Sequence, residues 1–181
     1  MLIKTVFSGF GGQGVLMMGY ILALSVMRDG MHVTYLPAYG AEMRGGTANC
    51  TVAISDKDIS SPVASSPDNV IAMNKPSLTK YEGQIKSKGS LFLNLDLIDI
   101  DPERKDIEVF RIPANTMAKE LGSERAANMI MLGAFAGRTK ITSIDSLAKG
   151  LTEAIRQKDA RQMQINRKGL EMGASYLLKG G

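Results

Sequence analysis

The chain alternates between two hydrophobic periods. Leu2 to Phe7 (LIKTVF) is short and mostly apolar, the pattern of a β-strand, and Val15 to Met27 (VLMMGYILALSVM) is a longer apolar run of helical length. Met31 to Leu36 (MHVTYL) predicts a second strand. Thr47 to Ile54 alternates cleanly: Ala48, Cys50, Val52 and Ile54 take one face, and Thr47, Asn49, Thr51 and Ala53 the other, the mark of a half-buried strand. Ser55 to Asp68, rich in Ser, Asp and Pro, is the main loop. Asn69 to Asn74 predicts another strand. Ser77 is the expected cap of a helix carrying Leu78, Tyr81 and Ile85, closed by Gly89. Ser90 to Leu95 and Glu108 to Ile112 predict two more strands around a polar turn at Asp99 to Asp106, and Pro113 opens a short helix ending near Gly122. The last third is helical: Ala126 to Ala136, then amphipathic stripes at Ile144, Leu147, Leu151, Ala154 and Ile155, and at Met163, Leu170, Ala174 and Leu177. The second stripe leaves Arg161, Arg167, Lys168 and Lys179 to solvent.

Strand–helix alternation followed by helices predicts an α/β fold: a three-layer, Rossmann-like doubly wound sheet, mostly parallel, with a helical C-terminal third, in one domain over 1–181. The helix from Val15 and the one from Ala126 are apolar on nearly every face, so each must be covered on both sides. Either a partner subunit covers them, or both lie at the centre of one core.

Four glycines, Gly9, Gly11, Gly12 and Gly14, fall in six positions between the first strand and the first helix. Glycine admits positive φ and lets a ligand reach the main chain, and the unpaired N–H groups opening the helix suit an anion. Gly9-x-Gly11-x-x-Gly14 also fits the dinucleotide fingerprint. That fingerprint needs an acid at the end of the second strand, and here Pro37-Ala38-Tyr39 stands in its place, with Glu42 arriving late. Phosphate contact without a nicotinamide remains, beside the plain alternative that the glycines only let the helix pack on the sheet.

Composition narrows the chemistry. The net charge is +4 from 22 Lys and Arg against 18 Asp and Glu, scattered without a run, and there is no Trp, so the nucleic-acid footprint is weak and no nucleic-acid partner is expected. One cysteine, Cys50, excludes a disulfide framework and any cysteine-held iron–sulfur cluster within this chain. On its strand's apolar face it reads as a buried core thiol. His32 is the single histidine and reads as a satisfied strand residue. The chain enters a strand at residue 2, leaving no room for a signal peptide, and Gly14 to Met27 is too short to cross a bilayer. The expectation is a cytoplasmic protein with no membrane partner.

Gly9-Phe10-Gly11-Gly12-Gln13-Gly14, then Tyr39-Gly40-Ala41-Glu42-Met43-Arg44-Gly45-Gly46-Thr47, and Asn128-Met129-Ile130-Met131-Leu132-Gly133-Ala134 resemble the gamma subunit of 2-oxoacid:ferredoxin oxidoreductases. The likeness runs over the whole chain, through Ser61-Pro62 and Leu121-Gly122, and its wording is most like the 2-oxoglutarate branch. The resemblance implies a subunit of an enzyme that converts a 2-oxoacid and coenzyme A to acyl-CoA and CO2 and reduces ferredoxin. Thiamine diphosphate with Mg would lie between alpha and beta type subunits, and iron–sulfur clusters on beta or on a ferredoxin-like delta subunit. It further implies that this chain is inactive alone, carries no catalytic or metal-binding residue, and helps bind coenzyme A while packing on its partners. The residues expected at the coenzyme A site are Gly9, Gly11, Gly12, Gln13, Gly14, Tyr39, Glu42, Arg44, Gly45 and Gly46. Arg44 either makes a bidentate contact with the ligand or pairs with Glu42. Gln13 either donates to a phosphate oxygen or ties the two glycine loops together. Asn128 either caps local backbone or faces the ligand cleft. A stand-alone Rossmann-type nucleotide-binding protein is the competing reading.

Overall fold

The computed structural model describes residues 1–39, 47–155 and 159–178. Six strands form one sheet: β1 (Leu2–Phe10), β2 (His32–Tyr39), β3 (Thr47–Ser55), β4 (Asn69–Ala72), β5 (Ser90–Asn94) and β6 (Glu108–Ile112), in the order β2-β3-β1-β4-β5-β6. Strands β1, β4, β5 and β6 run parallel, and β3 is antiparallel to both β1 and β2. The mostly parallel layered fold is therefore as expected, but β3 is inserted between the strands that the first β–α–β alternation would make neighbours. A seven-residue connection from Tyr39 to Thr47 suits a hairpin, whereas a parallel return needs a longer crossover. Pro37 sits in β2, which pairs only with β3, so the missing N–H costs the sheet nothing at this edge.

Six helices cover the sheet: α1 (Val15–Arg28), α2 (Lys75–Tyr81), α3 (Ala114–Glu120), α4 (Ala127–Thr139), α5 (Ile144–Ala154) and α6 (Ala160–Tyr176). The layers are unequal. Phe7, Cys50, Val52, Ile71 and Phe92 point into the larger core with α1, α3 and α4, while Val6, Val70, Leu91 and Leu93 meet Leu78 and Tyr81 of α2 on the other face. Phe135 of α4 stands edge-on to Phe7 and Phe92. The helix expected to be capped by Ser77 instead begins three residues earlier, at Lys75. Asn74 is the cap, its Oδ1 accepting from the Ser77 N–H at 2.9 Å, and Pro76 fits the first turn. The Ser77 hydroxyl is taken by Ser8, 2.9 Å away.

Of the two all-apolar helices, α4 is hidden within the one chain and α1 only in part. Helix α1 lies between the sheet and α5, leaving Met17, Tyr20 and Met27 partly exposed. Helix α4 is roofed by α6, and glycines line the crossing. A methyl at Gly133 would meet the Leu170 backbone, and one at Gly173 would meet the Ile130 carbonyl. Backbones this close bury α4 completely, with only its ends reaching solvent. Packing within the chain accounts for α4, while α1 keeps an apolar strip at Met17, Tyr20 and Met27 that nothing among the described residues covers.

Candidate site at the carboxyl rim of the sheet

Strands β1 and β4 are parallel neighbours whose helices leave in opposite directions: α1 packs on the larger-core face toward β2, and α2 on the other face. Such a switch point leaves a crevice beyond the carboxyl ends of the strands, where open α/β sheets take ligands. The glycine-rich turn stands there. It is shorter than its spelling suggests, because β1 continues through Ser8, Gly9 and Phe10, which pair with Asn49, Ala48 and Thr47 of β3. Gly9 is buried in that strand. A methyl on it would lie 2.6 Å from Gln13 Oε1 and 2.9 Å from Met73 Cβ and from Val15 Cγ1, so Gly9 serves close packing. Gly11 and Gly12 are exposed, and Gly14 takes the left-handed conformation at the start of α1 (φ 74°). The first-turn N–H groups of α1 have no partner within the helix.

Among the described residues Gln13 ties the turn to the neighbouring strand, and the second glycine loop lies outside them. Its Oε1 accepts from the Phe10 N–H at 2.6 Å and from Asn74 Nδ2 at 3.2 Å, and its Nε2 donates to the Met73 carbonyl at 3.3 Å. One side chain thus clamps β1 to the end of β4 with its Oε1 and one Nε2 hydrogen, and the second Nε2 hydrogen makes no bond among the described residues. Asn128 caps local backbone and packs against the glycine turn. Its Oδ1 accepts from the Met129 N–H at 2.9 Å, filling a first-turn donor of α4, while its Nδ2 lies against Gly14, where an added methyl would collide with it.

Between these groups lies a cavity of about 220 Å3 of mixed polar and apolar lining, formed by Gly12, Gln13, Met73, Asn115, Glu124, Arg125, Ala127 and Asn128. The N-terminal ends of α1 and α4 both open onto it; α1 offers its unpaired first-turn N–H groups, whereas in α4 the Ala127 N–H is taken by the Glu124 carbonyl and the Met129 N–H by Asn128. Arg125 makes no ion pair among the described residues. The lining holds amide and guanidinium donors and contains neither histidine nor cysteine. With Arg125 and the side-chain amides as donors and Glu124 as its one carboxylate, it is equipped to bind an acceptor-rich group. Sequence patterning missed Asn115 and Arg125, which lie outside the glycine motifs.

The other expected site residues divide. Tyr39 is strongly exposed at the end of β2, in register with Ala48 and, through it, Gly9. Glu42, Arg44, Gly45 and Gly46 lie outside the described residues, as do Gly40, Ala41 and Met43; the residues bracketing them, Tyr39 and Thr47, stand at the same rim as Phe10. Cys50 is the buried thiol that its strand face implied, with Sγ 3.5 Å from the Val15 carbonyl, and burial pushes its pKa up to about 12. His32 sits on the open edge of β2 with Nδ1 3.1 Å from Asp58 Oδ1, both side chains well exposed. Among the described residues no group of three or more His, Cys, Asp or Glu is placed to hold a metal, and no helix is long and apolar enough to cross a membrane.

The same architecture recurs in known proteins. The gamma subunit of a keto/oxoacid ferredoxin oxidoreductase from Geobacter sulfurreducens superimposes with a TM-score of 0.84 at 29% identity, covering 98% of this chain and 99% of that one. A 2-oxoglutarate:ferredoxin oxidoreductase from Magnetococcus marinus, solved with 2-oxoglutarate, coenzyme A and succinyl-CoA bound, shares the fold (TM-score 0.87, 24% identity, 96% of this chain and 30% of that one). In sequence, ketoisovalerate oxidoreductase subunit VorA from Methanothermobacter marburgensis is 38% identical over 181 residues, 98% of this chain. The chain spans only 37% of that relative's length. The 2-oxoglutarate synthase subunit KorC of the same organism is 34% identical over 155 residues, with 82% of this chain and 83% of that one covered. Relatives named for different 2-oxoacids stand at similar distances, so the 2-oxoglutarate branch is not singled out. The family model for pyruvate ferredoxin/flavodoxin oxidoreductase matches residues 4–176, and the chain belongs to that family.

Proposed function

We propose that this chain is the gamma-type subunit of a 2-oxoacid:ferredoxin oxidoreductase and that it supplies one wall of the coenzyme A site. The observation that carries this reading is the donor-lined cavity at the β1/β4 switch point, where the glycine turn, Asn128 and Arg125 meet. Coenzyme A presents a pyrophosphate and a 3′-phosphate, acceptor-rich anions suited to helix-opening N–H groups and to a guanidinium. Support for the subunit assignment is the end-to-end match to a free-standing gamma subunit.

The remaining chemistry belongs to partners of alpha and beta type, and to a ferredoxin-like delta subunit where one is present. The residues here do not fit those cofactors. The single cysteine is buried, and the sequence holds no Gly-Asp-Gly stretch for a Mg-bound diphosphate. No step is assigned to this chain beyond binding and orienting the acyl acceptor. Arg44, in the segment between β2 and β3, is proposed as a second cation for the same anion.

A dinucleotide-binding reading is weaker on physical grounds. The strand that would offer a ribose-binding acid is displaced one place outward by β3, and it ends at Tyr39. The proposal is tested by co-expressing the chain with alpha and beta type subunits. Activity with a 2-oxoacid and coenzyme A is expected only in the assembled complex. The double substitution Arg44→Ala with Gly11→Val is expected to raise the KM for coenzyme A and leave that for the 2-oxoacid unchanged. Full activity in the double variant, or tight NAD binding by the chain alone, would overturn the reading.

A further inference from the structure

Strand β5 reads Leu91-Phe92-Leu93-Asn94, and the amide at its end is as buried as the apolar residues before it, with no exposed surface. Asn94 Nδ2 donates to Asn115 Oδ1 at 2.7 Å, while Asn94 Oδ1 has no hydrogen-bond partner. A buried acceptor left unmet costs about 1–3 kcal/mol, so an apolar residue of similar shape would be cheaper here. What the amide achieves lies one residue further on. Asn115, in the first turn of α3, lines the cavity. With its Oδ1 held by Asn94, its orientation is fixed, and its Nδ2 makes no hydrogen bond among the described residues. Two donor hydrogens therefore remain for whatever enters the cavity.

We propose that Asn115 donates a hydrogen bond to a phosphate oxygen of the coenzyme A diphosphate, and that Asn94 is a positioning residue that sets the Asn115 amide for this contact. This rests on the coenzyme A reading above and adds a third direction of approach. The glycine turn and the α4 terminus reach the ligand from β1 and from Asn128, and Asn115 reaches it from the β6 side. The lining favours a phosphoryl group because its neutral amides and its one guanidinium are donors, with Glu124 the single carboxylate.

Two substitutions separate positioning from mere packing. Asn115→Asp keeps an oxygen for Asn94 Nδ2 but turns the free end from donor to anion. Asn94→Leu removes the unmet acceptor and frees the Asn115 side chain. In the assembled complex, coenzyme A affinity measured by calorimetry is expected to fall about thirtyfold or more for Asn115→Asp and about threefold to tenfold for Asn94→Leu, of the order of one or two hydrogen bonds to a charged group. Asn94→Leu should melt at or above the wild-type temperature. The KM for pantetheine, which lacks the diphosphate, should stay unchanged in both. Loss of melting temperature together with an equal loss for pantetheine would mark Asn94 as structural and overturn the proposal. Gly11→Val separates the two levels of argument. If it weakens coenzyme A binding while Asn115→Asp does not, only the present inference fails. If neither variant changes the affinity, the coenzyme A site itself is misplaced and both readings fall.

Discussion

The α4–α6 crossing makes the most quantitative demand on the sequence, and Gly133→Ala tests it directly. A methyl on Gly133 points at the main chain of Leu170, which cannot swing aside as a side-chain tip can; a methyl on Gly173 would likewise meet the Ile130 carbonyl and come within 2.9 Å of the Ala134 nitrogen. Relief requires the two helix axes to separate, and a gap of 0.5–1 Å already forfeits roughly a quarter to a half of each dispersion contact along the seam. Leu170, Ile130 and Phe135 all depend on that seam and are fully buried. Overpacking of this kind costs roughly 1–3 kcal/mol, and backbone atoms that cannot yield put both sites at the upper end. Alanine returns about 1 kcal/mol through its better helix propensity. The net loss is about 2 kcal/mol, or about 4–8 °C in Tm for a chain of this length. Gly169→Ala should cost less, because its methyl would meet the Met129 side chain at 3.2 Å, where a small shift suffices. Gly83→Ala, which has nothing within 4 Å, is the control and should be neutral or mildly stabilising. Thermal unfolding followed by circular dichroism on the four single variants measures the order. If Gly133→Ala and Gly173→Ala both melt within about 2 °C of wild type, the crossing is not as close as argued and α4 must be covered by something else.

Three further outcomes follow from single groups. Gln13→Ala removes the acceptor of the Phe10 N–H and the clamp to Met73 and Asn74, so the Phe10 amide should lose its hydrogen-exchange protection, and stability should fall by about 1–3 kcal/mol; a Phe10 amide as slow as in wild type would refute the clamp. Burial raises the Cys50 thiol from 9.0 to about 12, so the folded form resists ionisation: its stability is complete below pH 9 and falls as pH rises from 9 toward 12. At pH 8 a thiol reagent should label Cys50 only at the rate of global unfolding, and rapid labelling of the native chain would show that the thiol is accessible. Asp106 is held down to about 2 by its hydrogen bonds to Arg104, so its contribution is present above about pH 4 and lost as pH falls toward 2. The urea midpoints of wild type and Asp106→Asn should therefore converge across that window, and a gap that stays constant would refute the linkage.

What the sequence disclosed, and what it withheld, follows from the range of each interaction. Elements whose faces are set by local period were readable: β6 falls on Glu108–Ile112 as its pattern requires, and Cys50 is buried on the face that alternation assigned to it. The place of β3 was not readable from period, because pairing over forty-odd residues decides strand order; the short connection after Tyr39 carried that information and pointed to a hairpin. The burial of α4 was likewise a relation between two elements. Gly133 and Gly137 repeat at a spacing of four, as do Gly169 and Gly173, and only the two pairs together announce a close crossing. At the site, the glycine turn declared itself, since a backbone bare of side chains is a local property. Gln13 did not, because its partners Met73 and Asn74 lie some sixty residues away and decide whether it serves a ligand or the fold. Asn94 gave the faintest signal, a lone amide closing an apolar strand, and it gains meaning only when α3 brings Asn115 against it. The chemistry of this rim thus arises where separate strand ends converge. Substitutions that leave every local pattern intact, such as Asn115→Asp, should alter binding more than those that alter the pattern itself.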